Sequence, residues 1–276
     1  MSDTQQPEQQ WRWPNSIAMS PTSLKAYGQC ASRVKMQYLQ GLEPPEKWVR
    51  HFGLGNATHS ALGTIAQQIK VGTELIGEEQ IRMLCRFHLP ESEYPTEAAR
   101  ESDIQLVLEW VQKGRAYLES LEVDEWLIIE QKRRRDVTLF PAEAPYELLT
   151  RPDLIVKQRD ENGEPYFHII DWKTGSVYEE PDVPVITRYA IRAELQKWTG
   201  DATAANVVFT WYWLRENYRK DIDTSAEHCN EHWPGIIGQM EDLATEAEWI
   251  ATPGWYCNYC KYYQNLCPEE IPPELD

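Results

Sequence analysis

The stretch TRPDLIVKQRDENGEPYFHIIDWKTG, Thr150 to Gly175, decides how this chain folds. It holds two apolar, β-branched runs on either side of DENGE, a turn composition, and so predicts an antiparallel hairpin. The strand candidates are YELLTRPDLIVKQ (Tyr146–Gln158) and PYFHIIDWKT (Pro165–Thr174). On a strand, residues i and i+2 share a face. Asp171 and Lys173 therefore emerge side by side, while Ile170 and Trp172 pack on the other face. Asp153, on the first strand, stands beside Asp171 if the register allows it. Two carboxylates on one face repel each other, and burial raises the pKa of such groups. A divalent cation removes the conflict, and hard oxygen ligands with open water positions suit Mg²⁺ or Mn²⁺. Lys173 beside that cation is suited to orient or deprotonate an attacking water and to steady developing negative charge. The plainer alternative is an Asp–Lys ion pair near an exposed strand end, which contributes little. The apolar flanks and the upstream Asp weigh against it, because charged groups seldom sit in such surroundings without a partner.

Outward from the hairpin, WLIIEQKRRRDVTLF (Trp126–Phe140) and NVVFTWYWL (Asn206–Leu214) read as further strands. The first carries Glu130, a candidate supporting carboxylate, and the basic run Lys132–Arg135, alternate members of which can line a groove. A helix or broken helix starts after Ser20, a suitable cap, with Pro21 in its first turn and Gly41 at its end. A second is entered at Gly53. Residues 77–121 carry helical periodicity and many acids, and are expected to form a helical subdomain. A helix around ITRYAIRAELQKWTGDATAA puts Arg188 and Arg192 on one face. Arg215, Arg219 and Lys220 follow the last core strand, and a long acidic helix is expected over roughly 222–250. No internal repeat interrupts this order, which points to one compact α/β unit with helical additions. Within Gly55-Asn-Ala-Thr-His59 the imidazole lies one helical turn after a glycine. Histidine is a common metal ligand.

The 276 residues suffice for a large core, and no apolar run approaches the roughly 20 residues of a membrane span. The polar start of the chain has no basic-then-apolar signal pattern, so a flexible lead-in and a cytoplasmic location are expected. The net charge of −17 argues against a general nucleic-acid binder but leaves room for a basic groove on an acidic body. The six cysteines, in a chain without an export signal, point to metal or cluster binding rather than disulfides. Cys257, Cys260 and Cys267 form C-x2-C-x6-C-P. Cys85 and Cys229 are expected to be inert, buried thiols, and His228, Cys229 and His232 to be part of a solvated helix rather than a metal site.

The ordered set S-P-T-S-L, G-x-x-x-H, P-D, I-I-D-W-K-T-G, E-L-x-x-W and C-x-x-C…C-P, from Ser20 to Pro268, resembles the PD-(D/E)XK nuclease superfamily. Its RecB-type branch with an iron–sulfur cluster, which includes CRISPR-associated exonucleases, looks nearest. The resemblance implies a central mixed α/β sheet flanked by helices, with a helical insertion at about 75–121. It implies a lead at 1–19, a nuclease domain at 20–252 and a cysteine-rich segment at 253–276. His59, Asp153, Asp171 and the backbone carbonyl of Trp172 would bind Mg²⁺ or Mn²⁺, with Lys173 as the catalytic lysine. Glu194 and Trp198 fall where the family usually carries Gln and Tyr, and Thr150 where it often carries Gly. Glu194 is a further candidate catalytic residue. In the resembled branch one upstream cysteine and three C-terminal ones hold a [4Fe–4S] cluster, which here implies Cys30, Cys257, Cys260 and Cys267. Thiolate chemistry alone equally suits Zn²⁺. Such a centre would staple the two ends of the chain. The aromatics around it, from Trp255 to Tyr263, would shield it, or one or two would stack on unpaired bases. The expected activity is metal-dependent hydrolysis of DNA, as an exonuclease on single-stranded or frayed ends. Its setting would be repair, recombination or CRISPR spacer acquisition, with possible protein partners there and no membrane. The alternative is a catalytically inactive iron–sulfur DNA-end-binding or scaffold module.

Overall fold

The computed structural model describes residues 12–14, 17–43, 49–130, 137–138, 147–202, 205–263 and 266–267. The basic run at 132–135 lies outside the described residues. The chain forms two compact units. One comprises Met1–Lys47, Asp136–Leu149 and His232–Asp276; the other comprises Trp48–Arg135 and Thr150–Glu231.

The second unit is built on a five-stranded mixed sheet. Its strands are β1 (Glu125–Ile129), β4 (Leu154–Arg159), β5 (Pro165–Lys173), β6 (Val207–Trp213) and β7 (Tyr218–Asp223), in the order β1-β4-β5-β6-β7. Only β5 and β6 run parallel. The expected hairpin is present: β4 and β5 pair from Arg159 opposite Pro165 to Leu154 opposite Ile170. The turn between them is held by Asp160, whose Oδ1 accepts the N–H groups of Asn162 and Glu164. One further step along this register sets Asp153 opposite Asp171. The parallel β5–β6 pair requires a crossover, supplied by α6 (Asp182–Ala190) and α7 (Arg192–Thr199).

Alternation along the strands divides the core in two. Leu154, Val156, Ile170, Trp172 and Tyr212 face α3 (Arg50–Val71), α4 (Glu78–His88) and α5 (Glu97–Ser120). Ile155, Phe167, Ile169, Phe209 and Trp211 pack with Ile191 and Leu195 of the crossover. Helices α3 and α5 approach closely at Gly114, where an added Cβ would lie 2.6 Å from Cδ2 of Leu62.

Four expectations are corrected here. The strand expected over Tyr146–Gln158 is two: β3 (Glu147–Leu148), which belongs to a separate two-stranded ladder, and β4, which begins only at Leu154. Helix α3 starts at Arg50, one turn before Gly53. The acidic helix, α8, runs only over Ala226–Thr245, and residues 218–223 instead form β7. β7 is charged and half-exposed, so its alternation is weak, and its backbone pairing with β6 from Val208–Asp223 to Trp213–Tyr218 decides its state. Arg188 and Arg192 belong to two helices broken at Ile191, not to one face of a single helix. Arg188 is buried, with Nη2 donating to the carbonyl of Ala205, so it is not offered to solvent.

In the first unit, α1 (Pro21–Gln29) starts at the Ser20 cap. The Ser23 N–H donates to Oγ of Ser20, and the Ser20 N–H donates to Oγ of Ser23. A four-residue helix α2 (Ala31–Val34) and a π-helical turn (Lys35–Leu39) follow. The ladder of β2 (Val137–Thr138) and β3 (Glu147–Leu148) joins Met19 through Leu148. The remaining elements are α8 from His232 onward and a 3₁₀ turn at Trp255–Tyr259. Among the described residues no helix is long and apolar enough to cross a membrane.

Candidate active site

The hairpin brings its two aspartates to one end of the sheet, and α3 brings an imidazole to meet them. Nδ1 of His59 lies 2.9 Å from Oδ1 of Asp153. Oδ2 of Asp153 accepts the backbone N–H of Trp172 at 2.7 Å, which fixes the carboxylate's orientation. Glu130, just past β1, donates its own N–H to the Asp153 carbonyl. His59, Glu130 and Asp153 each offer a ligand atom within 4.8 Å of the others. Asp171, on the strand beside Asp153, is ion-paired with Lys173, whose Nζ is 2.7 Å from its Oδ2. Glu180 reaches within 4.0 Å of the same ammonium.

Sequence reading pairs His59 with Asp153 and Asp171 and names Glu130 as a supporting carboxylate; among the described residues the converging donor group is His59, Glu130 and Asp153, with Asp171 beside it. Gly63, one turn after His59, leaves room for Glu130: a Cβ there would lie 2.8 Å from its Oε2. Glu180 sits in the loop after β5 and carries no sequence signal at all. The Trp172 side chain is buried between Tyr117 and Tyr212. Glu194 is half-buried in the first turn of α7. Trp198 stacks on Phe167 at 5.5 Å. That places it six residues before Lys173 on β5, roughly 20 Å away along an extended strand. Thr150 bonds Thr187 of α6 through their hydroxyls. On β7, Arg219 lies over the Tyr117 ring and Lys220 pairs with Glu179.

The charges are coupled. Burial alone would lower the His59 imidazole, but the Asp153 carboxylate, by charge and hydrogen bond, with Glu130 and Asp171 behind it, raises it to about 9. Burial opposes ionisation of Asp153, yet His59 and the Trp172 N–H hold its pKa below the ordinary value. Burial pushes Asp171 up to about 6; Lys173 pulls it down and Asp153 raises it further. Burial would lower Lys173, but Asp171 and Glu180 keep it raised. So of the two carboxylates Asp171 is the one that takes up a proton first as pH falls, through about 6, while Asp153 keeps its charge.

This donor set fits a divalent cation. Two ligands of one cation with metal–oxygen distances of about 2.0–2.1 Å stand at most about 4.2 Å apart. The 4.8 Å within which the three donor atoms lie is close to that limit. One imidazole with carboxylates suits Mn²⁺ and Mg²⁺, the carboxylates favouring hard ions. The proton between His59 and Asp153 is what the cation would replace.

In the first unit, Cys30, Cys257, Cys260 and Cys267 line one cavity with Arg33, Met36, Pro253 and Tyr256. All four are free thiols. The segments that carry them are joined by the Ser32 N–H donating to the Ile250 carbonyl and by the Tyr262 hydroxyl donating to that of Leu42. Four thiols in one apolar cavity fit a tetrahedral metal or a cluster. Cys85 and Cys229 are buried elsewhere, and burial raises each thiol to about 11, which keeps them unreactive.

Comparison with known families matches residues 18–268 to the PD-(D/E)XK nuclease superfamily. No curated protein matches the chain. A solved structure, "Crystal structure of SSO0001", is similar at 14% identity over 80% of this chain and 96% of its own, with a TM-score of 0.33.

Proposed function

The chain belongs to the PD-(D/E)XK nuclease superfamily, a class of divalent-metal nucleases, and from that premise we propose that it is a deoxyribonuclease acting on single-stranded or frayed ends as an exonuclease. The observation that carries this reading is the convergence of His59, Glu130 and Asp153 within 4.8 Å, beside the Asp171–Lys173 pair. His59, Asp153 and Asp171 hold the cation, with Glu130 and the Trp172 backbone completing its surroundings. When bound, the cation polarises a phosphoryl oxygen and acidifies water. Asp153 keeps its orientation because the Trp172 N–H holds one of its oxygens. Lys173, steered by Asp171, offers an ammonium to the charge that develops on the phosphodiester. Glu194 is assigned a supporting catalytic role from the first turn of α7.

The four-cysteine cavity is proposed to hold a [4Fe–4S] cluster. Brown protein with visible absorbance supports this, and colourless, zinc-loaded protein overturns it. The nuclease division into a lead at 1–19, a catalytic domain at 20–252 and a cysteine segment at 253–276 belongs to the same proposal, as do the cytoplasmic location and a setting in DNA repair or CRISPR adaptation with protein partners. The decisive assay is digestion of end-labelled single-stranded DNA with Mn²⁺ or Mg²⁺. Activity is expected in the parent protein and a loss of about a hundredfold or more in Asp171→Ala and Lys173→Ala. Undiminished digestion by both variants would place the activity elsewhere.

A further inference from the structure

The chain carries 44 acidic residues, but none lies within residues 12–42 or 249–267. Those two segments contain five basic residues: Arg12, Lys25, Arg33, Lys35 and Lys261. They also pack on each other through the Ser32–Ile250 and Leu42–Tyr262 hydrogen bonds, so the acid-poor parts of the sequence form one body. Among the described residues, carboxylates approach it from outside, Asp242 of α8 near the Tyr27 hydroxyl among them. Glu246 of α8 accepts the Tyr27 hydroxyl, and Glu43 adjoins Leu42.

On this body sit two large aromatics that contribute little to packing. Trp255 is 66% exposed and Tyr259 is 71% exposed, whereas Tyr262 is fully buried. Trp255 and Tyr259 occupy the two ends of one 3₁₀ turn. Their ring centroids are 6.3 Å apart, with planes at 72°. In an edge-to-face pair at least one ring keeps a face open to a third partner. The exposed Lys261 follows two residues later.

We propose that Trp255 and Tyr259 form a stacking platform for unpaired bases, with the basic residues of the same body holding the phosphates. Cysteine packing explains Tyr262, but it leaves two-thirds of Trp255 and Tyr259 in water. A surface for a neutral protein would need aromatics alone; the exclusion of every carboxylate from both segments is what a polyanion requires, and exposed aromatics that stack on bases favour a nucleic-acid strand over an acidic protein. Stacking also tolerates any base sequence, because every base has a π-face. The inference rests on the nuclease reading for the choice of nucleic acid as the polyanion, and adds where a strand is gripped.

The test measures binding of a fluorescent 20-mer of deoxythymidine to the full-length protein in metal-free buffer, by anisotropy. Trp255→Ala with Tyr259→Ala is expected to weaken binding about tenfold or more, while Trp255→Phe with Tyr259→Phe retains most of it. Hydrolysis of a small chromogenic phosphodiester is expected to stay at the parent level, since it needs no strand grip. Tyr259→Ala alone, at so exposed a position, guards against loss of folding in the double variant and is expected to weaken binding in the same direction. Unchanged binding in the alanine variants overturns the platform, whether or not the small diester is hydrolysed. Unchanged binding together with loss of self-association would reassign the surface to a protein contact. Absence of diester hydrolysis in the parent protein speaks against the nuclease reading, not the platform.

Discussion

At the scale of single residues, the site is governed by protons that a cation must displace. His59 is raised to about 9 in the folded protein, so its contribution to stability is full below its ordinary value near 6.5 and is lost as pH rises through about 9. Asp171 is raised to about 6, so its contribution is full below about 3.8 and is lost as pH rises through about 6. Asp153, held low, acts in the opposite sense and is lost only in acid. The metal-free protein is therefore expected to lose melting temperature between pH 5 and pH 9, with Mn²⁺ restoring it at the alkaline end. A melting series with and without Mn²⁺ checks this; parallel curves would contradict it. The same protons predict that Mn²⁺ binds more tightly at pH 8.5 than at pH 6, by roughly tenfold or more, with proton release on binding. Calorimetry in buffers of different ionisation enthalpy measures that release, and binding independent of pH would count against the assigned ligands. Glu130→Gln tests the supporting carboxylate that the fold brings into the donor group. It removes a charge but little volume, and is expected to weaken Mn²⁺ binding several-fold without lowering the melting temperature of the metal-free protein.

At the scale of elements, the hairpin and α3 are the working parts, and their placement depends on packing away from the site. Helix α3 can carry His59 to the sheet end only if it lies close to α5, and Gly114 permits that approach by leaving Leu62 its space. Gly114→Ala is expected to destabilise the protein by about 1–3 kcal/mol through overpacking, although alanine is the better helix former. Denaturant unfolding measures it, and a stabilised variant would show that the contact yields freely. The hairpin was legible in the sequence because apolar runs flank a clear turn, but the start of its first strand was not: the run from Tyr146 breaks, and β4 begins only at Leu154. β7 was not legible. Its residues are largely polar and exposed, so only the hydrogen-bonding edge of β6 makes it a strand. The break at Ile191 is likewise invisible to periodicity, because the residues on both sides keep helical spacing while the chain changes direction.

At the scale of the molecule, two units each gather reactive side chains from distant parts of the chain. In the first, Cys30 joins three cysteines near the C-terminus around one cavity. A centre that bridges them would close a very long loop and add stability by constraining the unfolded chain. Cys30→Ser is expected to abolish visible absorbance or bound metal and to lower the melting temperature; full metal content in that variant would remove Cys30 from the ligand set.

The order of short motifs, the D-x-K spacing on a strand and the cysteine spacings could be read from the sequence, because each depends on local periodicity or on counts of residue types. Which carboxylates meet, how Asp153 is held by the Trp172 N–H, and that Glu130, a supporting candidate in the sequence, joins His59 and Asp153 within 4.8 Å were decided only in three dimensions. Register and helix packing set those distances, and they arise from burial summed over the whole core, which no short window of sequence contains.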